Sequence, residues 1–264
     1  IVTGTSFGAT SYFFNSIAPN ANIAYKRLRD RGFTDEQIYY MNPVEWQSID
    51  GSPLVSSNIV DETEMTKEKL HTFLTSIKGN VENDIPLIIY LLGHGSATGG
   101  DDGKFYLNDT DFVDGATLNS WLNEYESSKM QDNSSSITII ADFCYSGAFI
   151  SPLKNSTQNR VVITSSRADK TAYFSHGKSF ATTIFNETYR GNSLKTCFDQ
   201  ALLWSERNAP GDKKAEPLID ANGDGVTNTT EDYAIVDKIF LGGAQQFQGL
   251  IAEIDSVSVA WSSE

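Results

Sequence analysis

Two apolar runs with polar ends constrain this chain more than any other feature. Residues 86–95 read PLIIYLLGHG and residues 137–149 read ITIIADFCYSGAF. Ile137, Thr138, Ile139 and Ile140 are β-branched in succession, which suits a strand covered on both faces, as in a parallel sheet. Each run breaks off at a residue capable of chemistry. The first stops at His94 between Gly93 and Gly95, and the second at Cys144 ahead of the turn residues Tyr145, Ser146 and Gly147. In an open parallel sheet the carboxyl ends of the strands share one edge, where ligands bind. An imidazole and a thiol are therefore expected close together on that edge.

The rest of the chain alternates in the same way. Residues 20–31 place Ile23, Ala24 and Leu28 opposite Lys26, Arg27, Arg29 and Asp30, a helical period that Gly32 ends. Further helices are expected over residues 66–78, 115–127, 178–189 and 193–208. Short strands are expected over 1–4, 38–41, 104–107 and 160–166, with residues 42–61 as loop. Strands alternating with helices predict an α/β fold, a mostly parallel central sheet with helices on both faces. The strand over 160–166 ends in Ser165 and Ser166, on the same edge as His94 and Cys144.

Composition narrows the partners. A net charge of −14 argues against nucleic-acid or anionic-membrane binding, since phosphate contacts need clustered Lys and Arg. No run approaches the roughly 18 apolar residues of a membrane span. Cys144 and Cys197 are the only cysteines, too few for a disulfide framework, and Cys197 falls in an amphipathic stretch as a core residue. Ile1 opens as though a strand had been cut close, so the chain is expected to be a segment whose targeting sequence lies elsewhere. Sequons at Asn108, Asn133, Asn155, Asn186 and Asn228 discriminate nothing in a chain this rich in Asn, Ser and Thr.

A thiol attacks a carbonyl only as thiolate, and a neighbouring imidazole both accepts its proton and protonates the leaving amine. The His94–Cys144 separation of 50 residues equals that noted for caspases. The N–H groups of Gly95 and Cys144 are candidate oxyanion donors. Asp142, two residues before Cys144, falls on the same face of its strand and is expected to read donors on a peptide side chain. His71 reads as a surface residue, and His176 as a possible border of the cleft.

A second site stands apart. Residues 220–231, DANGDGVTNTTE, match the calcium loop of an EF-hand at Asp220, Asn222, Asp224, the Gly225 turn and Glu231, with Val226 offering its carbonyl. Asn228 would act directly or through water. The flanks lack two regular helices, so a structural Ca²⁺ clip is expected rather than a sensor. From residue 242 onward the motif content ends, and in this 242–264 extension residues 250–261 alternate enough for one or two strands leading into a further domain.

GHG after one hydrophobic strand and D-x-C-x-S-G after another resemble the legumain-type peptidases of the caspase–haemoglobinase clan, most closely their secreted bacterial branch. AYKRLRDRGFTDEQIYYM at 24–41 and VVITSSRADKTAYF at 161–174 support the resemblance, which runs over most of residues 1–241. It implies a caspase-like three-layer sandwich and a secreted cysteine endopeptidase acting on peptides or proteins. His94 would be the base, Cys144 the nucleophile and Gly95 part of the oxyanion hole, while Asp142, Ser165 and Ser166 would line the S1 pocket. One departure stands out. Legumain-like enzymes carry an Arg before the first helix that helps recognise Asn, and here residues 13–20 read FFNSIAPN, with Ser16 or Ile17 at that place. Without that cation the pocket is more acidic, and P1 is expected to be Asn or a basic residue. Asn15 would orient His94. Two other readings stand beside hydrolysis: transpeptidation through the same thioester, and a catalytically inactive, calcium-stabilised interaction module.

Overall fold

A computed structural model describes residues 1–5, 12–49, 57–77, 86–98, 102–127, 136–155, 160–175, 177–209 and 214–242. His176 and the strands expected over 250–261 lie outside these. The central sheet has five strands: β1 (Val2–Thr3), β2 (Leu87–Leu92), β3 (Ile137–Asp142), β4 (Arg160–Thr164) and β5 (Leu218–Asp220), in that spatial order. The first four are parallel and β5 runs antiparallel to β4. β2 and β3 pair over six residues, from Leu87 with Ile137 to Leu92 with Asp142. The two runs that end in His94 and Cys144 are therefore adjacent and in step.

Seven α-helices occur among the described residues: α1 (Tyr12–Asp30), α2 (Lys67–Ser76), α3 (Gly115–Ser127), α4 (Ile150–Leu153), α5 (Phe180–Tyr189), α6 (Leu194–Asn208) and α7 (Thr230–Val236). Alternation along each strand feeds two cores. Tyr90, Leu92, Ile140, Val161 and Ile163 face α1, α5 and α6. Ile89, Leu91, Ile139, Ala141 and Val162 face α2, α3 and α4. This is the expected mostly parallel α/β sandwich, consistent with a caspase-like fold.

Several boundaries differ from expectation. Helix α1 begins at Tyr12, eight residues before the apolar stripe becomes regular, and runs through Pro19. The strand expected over 38–41 reduces to isolated parallel bridges of Met41 with Val2 on one side and Glu62 on the other. Lys104–Tyr106 joins Gly95–Ser96 and Phe112–Asp114 in a separate antiparallel ribbon. That ribbon grows directly out of the His94 turn.

Candidate active site

His94 and Cys144 follow the carboxyl ends of β2 and β3, and the backbone between them is closely packed. A Cβ on Gly95 would stand 2.1 Å from the Cys144 carbonyl oxygen and 2.4 Å from a ring carbon of Phe143, so only glycine fits. The Gly93 N–H donates to the Asp142 carbonyl at 3.4 Å, and the Tyr106 N–H donates to the His94 carbonyl at 3.0 Å. The imidazole turn is thus held from below by the cysteine strand and from the side by the ribbon.

The cysteine turn is fixed as firmly. Tyr145 is left-handed (φ 65°), and its N–H donates to the Lys170 carbonyl at 2.8 Å. Gly147 packs against the backbone of residues 167 and 168, where a Cβ would stand 2.5 Å from the Ala168 nitrogen. Ser166 is fully buried; its hydroxyl donates to the Phe143 carbonyl at 3.2 Å and accepts from the Ser146 N–H at 3.2 Å. Ser166 therefore fastens the turn that presents Cys144.

Cys144 is half-buried, and its thiol points to the Ala172 carbonyl at 3.8 Å. Burial pushes the thiol pKa up, and the charge of Asp142 pushes it the same way, against the Ala172 contact. Burial also pushes His94 down. Both shifts favour a neutral thiol beside a neutral imidazole at rest.

Asp142 has no exposed surface. Its Oδ2 accepts from the Ser179 hydroxyl at 2.7 Å and from the Ala181 N–H at 3.2 Å, at the N-terminus of α5. Ser165 and Tyr90 also act on this carboxylate. Burial raises its pKa to about 6, opposed by Ser179, Ser165, Ala181 and Tyr90 in that order. Of the predicted pocket residues, the structure brings Asp142 and Ser165 together and sends Ser166 to the cysteine turn. Asn15 is exposed on α1.

Tyr90, Ser179 and Ala172 went unrecognised in the sequence. Only Tyr90 carried a signal: a phenol inside an aliphatic strand needs a polar partner when buried. A separate cavity of about 400 Å³, lined by Ile38, Phe73, Leu87 and Tyr125 among others, involves neither His94 nor Cys144.

The acidic loop is wound but only partly gathered. Asp220 is buried; its Oδ1 accepts from the Gly223 N–H at 2.8 Å and its Oδ2 from the Gly225 N–H at 2.9 Å. Burial raises its pKa, and after the opposing N–H donors the charges of Asp232 and Asp224 raise it further. Asn222 Nδ2 donates to Asp224 Oδ2 at 3.1 Å, and the Val226 side chain points outward. Glu231 is exposed on the first turn of α7. Its neighbour Asp232 is the carboxylate turned inward, accepting from the N–H groups of Ala221 at 2.7 Å and Thr229 at 2.8 Å. Among the described residues no group of three His, Cys, Asp or Glu side chains is closed to metal-holding spacing.

No curated protein matches the chain. A family model described as the peptidase C13 family matches residues 19–208, from the middle of α1 to the end of α6, well over half of the chain. The match spans His94 and Cys144 and stops short of the acidic loop. The chain belongs to the peptidase C13 family and is a cysteine peptidase.

Proposed function

We propose that this protein hydrolyses peptide bonds through a Cys144–His94 dyad. The observation that carries the reading is the closure of Gly95 onto the Cys144 carbonyl, which packs the imidazole turn against the thiol turn. With substrate bound, the His94 imidazole takes the thiol proton and the thiolate attacks the scissile carbonyl carbon. The N–H groups of Gly95 and Cys144 receive the oxyanion, a stabilisation of about 3–4 kcal/mol for a well-placed donor. The imidazolium passes its proton to the leaving amine, and a water molecule, deprotonated by the imidazole, cleaves the thioester and restores the thiol. Asp142 Oδ1 and Ser165 would read the P1 side chain, Asn or a basic residue.

The loop from Asp220 to Glu231 is proposed to hold a structural Ca²⁺. Asp220, Asn222, Asp224 and the Val226 carbonyl are hard oxygen donors in EF-hand order, and Glu231 would complete the set by turning inward. The fit rests on Asp220: a buried carboxylate beside Asp224 and Asp232, pushed towards the neutral form first by its burial and further by those two charges, is what a cation relieves. Such a site suits the calcium-rich extracellular setting in which we place the protein.

Hydrolysis of fluorogenic peptides with Asn, Asp, Arg or Lys at P1 tests the dyad. Cys144→Ala should abolish turnover, and His94→Ala should lower kcat/KM by about 10²–10⁴. Undiminished hydrolysis by Cys144→Ala would overturn the reading. Transfer of the acyl group to an added amine in preference to water would make the enzyme a transpeptidase. A folded protein that turns over no peptide would be an interaction module.

A further inference from the structure

Three glycines surround the imidazole turn, and two aromatic rings fill the space that their missing side chains leave. A Cβ on Gly93 would stand 3.1 Å from a ring carbon of Phe105 and 3.1 Å from the Gly4 Cα. A Cβ on Gly4 would stand 3.3 Å from the same ring and 2.2 Å from the Tyr106 carbonyl oxygen. Gly95 meets the Phe143 ring at 2.4 Å in the same sense, and it pairs with Phe105 across the ribbon. The glycines that flank His94 are therefore what lets its turn settle onto these rings.

The same ring reaches the thiol turn. Phe105 and Phe143 are fully buried, with centroids 5.1 Å apart at 40°, and Phe143 immediately precedes Cys144. Phe143 in turn meets Phe149 edge-on, with centroids 5.1 Å apart. Phe105 thus bears on the imidazole turn at Gly93 and, through Phe143, on the thiol turn. The polar tie between the two turns is slack by comparison: the Gly93 N–H reaches the Asp142 carbonyl only at 3.4 Å, beyond the usual range of an N–H···O bond. Ring packing at interior density is the stiffer constraint, because an aromatic ring cannot shorten to follow a turn that moves. Phe105 has no polar group, so it acts on the chemistry only through where it holds the two turns.

We propose that Phe105 is a positioning residue for the reaction, its ring setting the separation of the His94 and Cys144 turns. The inference rests on the Cys144–His94 dyad proposed above. A misplacement of about 1 Å between reacting groups is enough to lower turnover about 10²-fold, so a small relaxation at this ring is felt at the thiol.

The test compares Phe105→Leu with Phe198→Leu, the same change at a fully buried ring of the other core. Phe105→Leu should lower kcat for peptide hydrolysis at least ten-fold with KM within about two-fold, and Phe198→Leu should leave both within about two-fold. A second readout needs no turnover. The His94 ring-carbon resonance, assigned with His94→Ala, should titrate nearer the ordinary histidine value in Phe105→Leu, because a loosened turn admits water to an imidazole that burial now depresses. In Phe198→Leu it should stay where it is in the parent. Phe105→Met, which restores most of the lost volume in a flexible chain, should fall between parent and Leu on both readouts, and it serves alone if the leucine variant does not fold. Equal losses of kcat in the two leucine variants overturn the assignment, as does a His94 titration that neither Phe105 variant moves. If the parent cleaves no peptide, the proposed hydrolysis falls, and the His94 titration by itself decides the positioning role.

Discussion

At the scale of single residues, the site is governed by burial acting on three ionisable groups. Burial raises Cys144 and lowers His94, so the free enzyme should carry a thiol rather than a thiolate at neutral pH. Alkylation of Cys144 by iodoacetamide, mapped by mass to separate it from Cys197, should titrate with a midpoint above that of an exposed cysteine. A midpoint below that value would mean a preformed ion pair. Asp142 makes a prediction of opposite character. Its pKa is raised to about 6, against about 4 in an unfolded chain, so the neutral form suits the folded state. Its contribution to stability is full below pH 4 and is lost as pH rises through 6. Tyr90 and Cys144 are the other titratable groups coupled to it, and both stay neutral across that window. Asn keeps an oxygen for Ser179 and Ala181 without the charge. Asp142→Asn should therefore match or exceed the parent's stability at pH 8, by about 1–3 kcal/mol in urea unfolding, with the difference shrinking at pH 5. A loss of stability at pH 8 would show that the ionised carboxylate is held better than its burial implies. Gly95→Ala tests the backbone closure: its Cβ meets a carbonyl that no side-chain rotation can move. Activity should fall by about 10²-fold or more while circular dichroism stays unchanged.

At the scale of elements, α3 is tied to the start of β4 by one buried guanidinium. Arg160 is 1 % exposed and donates to Glu126 Oε1 at 2.7 Å and Oε2 at 2.5 Å, to Asn119 at 2.6 Å and to Asn123 at 2.8 Å. Removing the buried guanidinium leaves the half-buried Glu126 carboxylate without its cation, so Arg160→Ala should cost about 3 kcal/mol in urea unfolding. A cost under 1 kcal/mol would mean that water reaches Glu126 in the variant. None of this network was readable beforehand: Arg160 opens a strand of β-branched residues, and its partners lie 34 to 41 residues away. What was readable is what periodicity and punctuation encode. The run from Ile137 to Asp142 and its partner from Leu87 to Leu92 form as the apolar patterns require, and His94 and Cys144 follow from where those runs stop. Sequence pattern failed where tertiary contacts choose between neighbours. Ser165 and Ser166 look alike in the chain, but the turn after β4 sends one to the Asp142 carboxylate and the other to the cysteine turn. Glu231 and Asp232 divide in the same way. The capping box with Thr229 selects Asp232 as the third residue of α7, which turns it inward and leaves Glu231 outside. The early start of α1 was hidden because Pro19 interrupts the stripe.

At the scale of the whole molecule, the acidic loop closes the far side of the sheet. It leaves β5, the antiparallel edge strand, and enters α7, whose following turn binds α6: the Leu194 N–H donates to the Ile239 carbonyl at 2.7 Å and the Ser193 hydroxyl to Asp237 at 3.0 Å. The segment before β5 reaches the active site, because the Arg167 N–H donates to the Ala215 carbonyl at 2.8 Å and its guanidinium pairs with Glu216. Arg167 begins the stretch whose Lys170 and Ala172 carbonyls receive Tyr145 and the Cys144 thiol. A cation in the loop would therefore steady an edge strand, a helix and one wall of the site together. At one hundred times its dissociation constant, an ion that binds only the folded state adds about 2.7 kcal/mol. For a domain of this size that is a rise of roughly 5–10 °C in Tm. Calcium should raise Tm by that amount over EGTA. Asp220→Ala and Asp224→Ala should remove the response, and Cys144→Ala should keep it in full. Glu231→Gln separates the two carboxylates at the start of α7. If Glu231 turns in to meet the ion, this variant loses most of the calcium shift while its Tm in EGTA stays near the parent's. If Asp232 is instead the carboxylate that meets the ion, Glu231→Gln keeps the shift, and the donor set read from the EF-hand pattern is wrong by one residue.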